Sequence, residues 1–139
     1  MLRKVSRPVA EITPRIITLI DDMIDTMRAE GGCGLAAVQV GVLRRIAVIE
    51  VEDGKVIELI NPKIIAFAGE QTEQEGCLSI PERWGTTVRP QHVTVHAVNR
   101  QGKPFEVTGS GLLARALCHE IDHLDGKLFI DHVIPDEDA

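Results

Sequence analysis

The chain has 139 residues, the usual size of one domain, and we expect residues 1–139 to form a single domain with one core. Its formal net charge of −6 argues against DNA or an anionic membrane as the main partner, because both require clustered cations. The N-terminus lacks the apolar run of a signal peptide, and the longest apolar stretch, 64–68, is too short to cross a bilayer. We therefore expect a cytoplasmic protein without membrane or direct DNA contacts.

A helix is predicted near the N-terminus. Thr13 followed by Pro14 is typical of a helix start, since threonine caps the first turn and proline is favoured at the first helical position. Gly31 and Gly32 predict its end. The apolar residues between them recur at helical spacing on one face, and they are Ile16, Ile17, Ile20, Met23, Ile24 and Met27. We expect this amphipathic helix to pack on the outside of the core.

The middle of the chain has the alternating pattern of β-strands. Segments 45–51 and 56–60 flank Asp53-Gly54, a dipeptide typical of a hairpin turn. Asn61-Pro62 is predicted to break the second strand, which is expected to resume at 64–68. Two further runs, at 93–97 and 105–107, surround a predicted turn at residues 101–102.

The last predicted element is a helix from about residue 111 to residue 124, capped by Ser110 and ended by Gly126. Its apolar residues lie on nearly every side, which is typical of a buried helix, and they are Leu112, Leu113, Ala116, Leu117, Ile121 and Leu124. The predicted fold class is α+β, with antiparallel or mixed sheets around this central buried helix and the N-terminal helix packed outside.

The buried helix carries the sequence HEIDH at 119–123. Residues four apart lie on one helical face, so both imidazoles can reach one metal ion. Glu120 lies one step round the helix, from where its carboxylate can reach water at the metal. Cys77 is the best remaining soft ligand, and one thiolate with two imidazoles leaves a fourth position open, as in a catalytic site.

Each of these features also has a simpler interpretation. HExxH sequences occur by chance and paired histidines are often structural, although two histidines and a glutamate buried without partners would be costly. Cys77 by itself is more simply a small buried apolar residue. The glycine-rich segment 31–41 is more simply a tight turn that enters a core strand. Gln39 is a polar side chain in that segment and a candidate donor to a developing oxyanion.

Three segments, in this order, resemble the signature motifs of peptide deformylases: GCGLAAVQ at 32–39, EGCLS at 75–79 and HEIDH at 119–123. The resemblance extends from about residue 2 to residue 133. It implies an α+β fold and the hydrolytic removal of the formyl group from N-formylmethionine at the start of new bacterial-type polypeptides. The partners would be N-formylmethionyl nascent peptides, met near the ribosome. Relative to many members, the chain is expected to be short at both ends.

The same resemblance implies the metal site. Cys77, His119 and His123 would be the ligands of one divalent ion, and Glu120 would be the general acid and base. This ligand set suits Zn(II), Fe(II), Co(II) or Ni(II). The family resemblance favours Fe(II), which would expose Cys77 to oxidation, with Cys33 as a secondary target. The sequence leaves the oligomeric state open.

The substrate site is also implied by the resemblance. Gln39 and the backbone N–H of Leu78 would donate hydrogen bonds to the carbonyl oxygen. The backbones of Cys33, Gly34 and Gly76 would hold the substrate chain.

Ala116 and Leu112 lie about one and two turns before His119, on the helical face that carries both histidines. Side chains there would form an apolar slot suited to methionine, and ordinary core packing is an equally good account of both residues. Val38 and Cys118 depart from residues common in the family's motifs, although neither position is a family ligand.

Asp122 is expected to be paired, because a lone carboxylate on a buried helix is costly. Arg89 is the first candidate partner and Arg115 the second. Such a pair would fix the helix rather than take part in the chemistry.

Two other functions stay open at this point. HExxH alone is also found in zinc peptidases, whose third ligand is usually a histidine or a glutamate rather than a cysteine from a separate motif. A non-catalytic relative would keep the fold and the metal as a binding module.

Overall fold

The computed structural model describes residues 5–52, 54–77 and 80–126. In these ranges the chain forms two α-helices, α1 (Pro14–Ala29) and α2 (Leu112–Leu124), and a 3₁₀ turn (Ala37–Val40). Its strands are β1 (Gly34–Ala36), β2 (Ile46–Ile49), β3 (Ile57–Ala68), β4 (Gln71–Cys77), β5 (Ile80–Arg89), β6 (His92–Val98) and β7 (Pro104–Ser110). The strands form a five-stranded sheet in the order β1-β2-β3-β6-β7 and a two-stranded β4-β5 hairpin, and all their pairings are antiparallel.

Helix α1 begins where the sequence predicts. The Thr13 hydroxyl accepts a hydrogen bond from the Ile16 N–H at 3.3 Å, and Pro14 occupies the first turn. The buried face of the helix carries Ile20, Met23 and Met27. This face packs on β1 and β2. No helix in the described part of the chain is long and apolar enough to cross a membrane.

Strand β2 lies between the two helices. Ile46 and Val48 belong to the apolar cluster that includes α1, whereas Ala47 and Ile49 belong to the cluster that includes α2. All four residues are buried, which explains why this strand reads as an uninterrupted apolar run. The sheet therefore separates two apolar layers, and α2 packs in one of them.

Strand β3 corrects the prediction of a break at Asn61-Pro62. The strand continues through both residues, with a shift in its register against β6 between Ile60 and Lys63. Asn61 has a φ of 53°, which asparagine tolerates better than most residues. Its side chain accepts from the Val9 N–H at 2.7 Å and donates to the Val9 carbonyl at 2.8 Å. The irregular pairing accommodates Pro62, which has no N–H to donate to the hydrogen bonds between the strands.

The β4-β5 hairpin was not predicted from the sequence, whereas the buried strand β1 fits the interpretation of segment 31–41 as a tight turn that enters a core strand. The β4 sequence, QTEQEGC, has no apolar alternation, so the strand depends on its pairing with β5 rather than on a pattern of its own. By contrast, β6 and β7 lie where predicted, and Gly102 in their turn has a φ of 79°. The first predicted turn is described only at Gly54, whose φ is 80°, because Asp53 lies outside the described residues.

The predicted cap of α2 is wrong. Ser110 is the last residue of β7, and its hydroxyl lies 2.8 Å from Nδ1 of its cross-strand neighbour His92. Gly111 takes the position before the helix, with a φ of 57° and a ψ of −122°. That conformation strongly favours glycine. The helix then runs from Leu112 to Leu124, and most of its residues after the first two are buried.

Candidate metal centre

Helix α2 brings its two histidines together inside the protein. Nε2 of His119 lies 3.2 Å from Nε2 of His123, and the ring planes are inclined by 65° with centroids 4.9 Å apart. His123 is fully buried and His119 is 9% exposed. One turn of helix separates the residues, which explains why the two rings meet, in an edge-to-face contact. Two neutral imidazoles whose ring nitrogens converge in this way could hold one metal ion.

The Glu120 carboxylate lies beside the two imidazoles. Each of His119, Glu120 and His123 offers an atom of the type that binds metals, and these atoms lie within 4.8 Å of one another. Glu120 is only 5% exposed. A buried carboxylate beside two imidazoles is placed to take up and return a proton next to a bound ion.

Gly34 of β1 makes room for this carboxylate. A Cβ atom built on Gly34 would lie 2.5 Å from Glu120 Oε2 and 3.0 Å from its carboxyl carbon. Real Cβ atoms do not approach this closely, so only glycine fits residue 34 without moving Glu120. The glycine-rich segment is therefore in contact with the histidine helix.

Gln39 lies on the 3₁₀ turn that follows β1. Its side-chain oxygen accepts a hydrogen bond from the Ala36 N–H at 2.9 Å. A backbone N–H can only donate, so this bond fixes which end of the amide is oxygen. The Nε2 end is consequently directed away from Ala36, as a donor.

Cys33 lies immediately before β1. The residue is exposed, and its carbonyl accepts from the Glu50 N–H at 2.9 Å. The pKa of its thiol is raised, first by desolvation of the sulfur and then by the negative charge of Glu120. A backbone hydrogen bond and His119 lower it by smaller amounts. Cys33 is thus within electrostatic reach of the histidine helix.

Gly76 and Cys77 end strand β4. Their backbones pair with Trp84 and Ile80 of β5, and the register shifts between the two positions. Leu78 lies outside the described residues, as does the side-chain arrangement of Cys77. The predicted roles of the Cys77 thiolate and the Leu78 N–H therefore stay predictions.

The two residues of the predicted apolar slot differ in their surroundings. Leu112 is 56% exposed, whereas Ala116 is 5% exposed and belongs to the apolar cluster between α2 and the large sheet. An exposed leucine on the first turn is available to an apolar ligand. Core packing by itself accounts for Ala116.

Asp122 is paired with Arg89, the first of its two predicted partners. Arg89 Nη1 donates to Asp122 Oδ2 at 2.5 Å, and the two side chains are 4% and 16% exposed. The sequence interpretation missed Gln71, whose Nε2 donates to the carbonyls of Gly111 and Pro90. A glutamine in a polar strand gives no pattern from which these contacts could be predicted.

The whole chain, residues 1–139, matches the family described as polypeptide deformylase. It is 58% identical over 135 residues to a peptide deformylase of Lachnoclostridium phytofermentans, covering 96% of this chain and 83% of that one. It is 59% identical over 134 residues to that of Acetivibrio thermocellus, covering 96% and 78%.

Solved structures of peptide deformylases have a fold similar to that of this chain. A peptide deformylase from Legionella pneumophila is similar with a TM-score of 0.93 at 49% identity, over 96% of this chain and 80% of that one. One from Synechococcus elongatus, in complex with actinonin, has a TM-score of 0.93 at 40% identity, over 96% and 75%.

Proposed function

The chain belongs to the polypeptide deformylase family, and from this membership we propose that it hydrolyses the formyl group from N-formylmethionine at the start of new polypeptides, releasing formate. The observation that carries the proposal is the convergence of two buried imidazoles beside a buried carboxylate on α2. We expect the substrate to be met near the ribosome in the cytoplasm. We expect residues 1–139 to act as one catalytic domain around α2, with α1 outside.

The proposed metal ligands are Cys77, His119 and His123. The histidine pair fits an ion. Without an ion, the two ring nitrogens 3.2 Å apart can share only one N–H···N hydrogen bond, whereas both lone pairs could bind the same ion. We favour Fe(II), with Zn(II), Ni(II) and Co(II) as alternatives compatible with one thiolate and two imidazoles. When bound, the ion would supply a water made acidic enough to serve as the nucleophile near neutral pH.

Glu120 is the proposed proton carrier. Its carboxylate accepts one proton from the water as the oxygen attacks the formyl carbon. The C–N bond then breaks, and Glu120 returns the proton to the leaving amine nitrogen, so that formate and a free N-terminus are the products. Its burial beside His119 and His123 supports this role, because proton transfer requires hydrogen-bond reach.

The proposed oxyanion donors are the Gln39 side chain and the Leu78 backbone N–H. Gln39 supports the proposal through its bond to Ala36, which turns the amide so that Nε2 faces away as a donor. Donors that are fixed before the reaction stabilise the charge that develops on the carbonyl oxygen.

The proposed substrate groove uses the backbones of Cys33, Gly34 and Gly76, with Leu112 and Ala116 beside the methionine side chain. Strand β1 supports this, because it is an edge of the large sheet within the described residues. An extended peptide can add to such an edge through main-chain hydrogen bonds. The proximity of Gly34 to Glu120 would place that peptide's first residue next to the carboxylate.

The test compares three peptides of one sequence that carry an N-formyl, an N-acetyl or a free N-terminal methionine. We expect formate from the first and no cleavage of an internal peptide bond in any of them. Glu120→Gln is the control, since it should bind metal without turnover. Internal cleavage would instead identify a peptidase, and metal binding without formate release would identify a binding module.

A further inference from the structure

Among the described side chains of the β4-β5 hairpin, two at its open end bond to α2 or to the residue before it. Gln71 and Arg89 are directly opposite in the antiparallel register. Directly opposite residues of such a pair project to the same face of the sheet. Both side chains reach helix α2 or the residue before it, one at each end of the helix.

Gln71 makes the first attachment. Its Nε2 donates to the Gly111 carbonyl at 2.8 Å and to the Pro90 carbonyl at 3.0 Å. One amide nitrogen carries two N–H groups, so a single side chain can make both bonds. Gly111 also donates its own N–H to the Gln91 carbonyl at 3.0 Å. The residue before α2 is thus bonded through its carbonyl to Gln71 of the hairpin, and through its N–H to Gln91, two residues after the hairpin ends.

Arg89 makes the second attachment. Its side chain bonds to Asp122, which directly precedes His123 and lies three residues after His119. Both side chains of this pair are largely buried, so water does not compete freely for the bond. The hairpin is consequently fixed to the turn of helix that carries the histidines.

We propose that Gln71 and Arg89 are positioning residues, which set the distance between the far end of the hairpin, where Cys77 lies, and the two histidines of α2. The inference rests on the proposed function, since it takes Cys77 as the third ligand. Cys77 lies six residue steps along the strand from Gln71, a span of roughly 20 Å. A small tilt at the open end is therefore amplified at Cys77, whereas metal–ligand distances tolerate only about 0.2 Å.

Gln71→Glu tests the inference with a side chain of the same shape. A carboxylate cannot donate to the two carbonyls and is repelled by them. We expect affinity for Co(II) to fall roughly 10–100-fold, the usual effect of removing a group that orients a ligand. We also expect the thiolate-to-cobalt charge-transfer absorption to weaken for each cobalt bound. If Gln71→Glu does not fold, Gln71→Asn, whose amide is one carbon too short, replaces it.

Two control variants separate positioning from general destabilisation. Thr72→Val changes the exposed neighbour on β4 and should leave cobalt affinity and absorption unchanged. Arg100→Gln removes two ion pairs that involve neither α2 nor the hairpin, since Arg100 joins Asp21 of α1 at 2.7 Å and Glu58 of β3 at 2.6 Å. It should lower the melting temperature of the metal-free protein without changing the cobalt spectrum.

The outcomes are distinguishable. Wild-type cobalt affinity and absorption in the Gln71 variant overturn the positioning role and leave the proposed function intact. An equal loss in Arg100→Gln also overturns it, because the effect would then follow stability alone. If the wild-type protein with cobalt bound shows no thiolate absorption, the assignment of Cys77 as a ligand fails, and the positioning role fails with it.

Discussion

Gly34 lies so close to Glu120 that a Cβ atom on residue 34 would stand 2.5 Å from the Glu120 carboxylate. The proposed groove and the proposed proton carrier are therefore in direct contact. The atom that would have to move is the end of a flexible side chain, which can shift at small cost to the fold. The same shift would move the carboxylate away from its position beside the histidines.

We expect Gly34→Ala to lower kcat far more than it lowers stability. A displacement of about 1 Å at a reacting group can cost on the order of 10²-fold in rate. The loss of stability should lie at the low end of the roughly 1–3 kcal/mol typical of overpacking. Steady-state kinetics and thermal unfolding of the same preparation measure both. An unchanged kcat with a large fall in melting temperature would mean that Gly34 is needed only for packing.

Glu120→Ala should keep the metal and lose most of the turnover. General acid and base catalysis is typically worth about 10²–10⁴-fold, and nothing else in the proposed mechanism carries the proton. Metal analysis and formate release from one sample give the comparison. A drop of less than about tenfold would indicate that another group transfers the proton.

Gln39→Glu tests the oxyanion donor more cleanly than Gln39→Leu. Leucine would also leave the buried Ala36 N–H without its acceptor, which costs about 1–3 kcal/mol. Glutamate keeps that acceptor and loses the donor, so we expect kcat to fall by roughly 10²–10³. Gln39→Leu is the paired variant and should lose stability as well. An effect confined to KM would make Gln39 a binder of the ground state.

The iron assignment predicts sensitivity to air. Iron-loaded protein should lose formate release over hours in air, whereas nickel-loaded protein should keep it, because the Cys77 thiolate at an Fe(II) centre is open to oxidation. Desolvation of the sulfur and the Glu120 charge raise the pKa of Cys33, so little of it is thiolate at neutral pH. We therefore expect mass spectrometry to find oxidation at Cys77 before Cys33. Full activity of the iron form after exposure, or the highest kcat/KM with zinc, would contradict the assignment.

Local chemistry explains what could be predicted from the sequence. Thr13 and Pro14 define the start of α1 because capping depends on adjacent residues. The contact between His119 and His123 follows from helical geometry alone, so the sequence was sufficient to predict it. The cost of burying a charge predicted that Asp122 is paired, and Arg89, the first of two candidates, is a partner in the structure.

Long-range contacts explain what could not be predicted. Strand β3 passes Asn61 because that side chain bonds to Val9, 52 residues away in sequence. Strand β4 has no apolar pattern, and its Gln71 is bonded to Gly111, 40 residues away. Ser110 would be an acceptable helix cap in isolation, but its pairing with His92 keeps it in β7. In each case the partner determines the conformation, and a pattern within one segment does not identify the partner.

The most direct test of the proposed site is the metal content of protein purified without air, measured beside formate release, for the wild-type chain and for Cys77→Ala. Cys118→Ala serves as the matched control, since it removes a different thiol and should retain the ion. We expect one divalent ion per chain and formate release in the wild type, and the loss of both in Cys77→Ala, because only two ligands would remain. Full metal occupancy in Cys77→Ala, or a wild-type protein that binds one ion and releases no formate, would contradict this account.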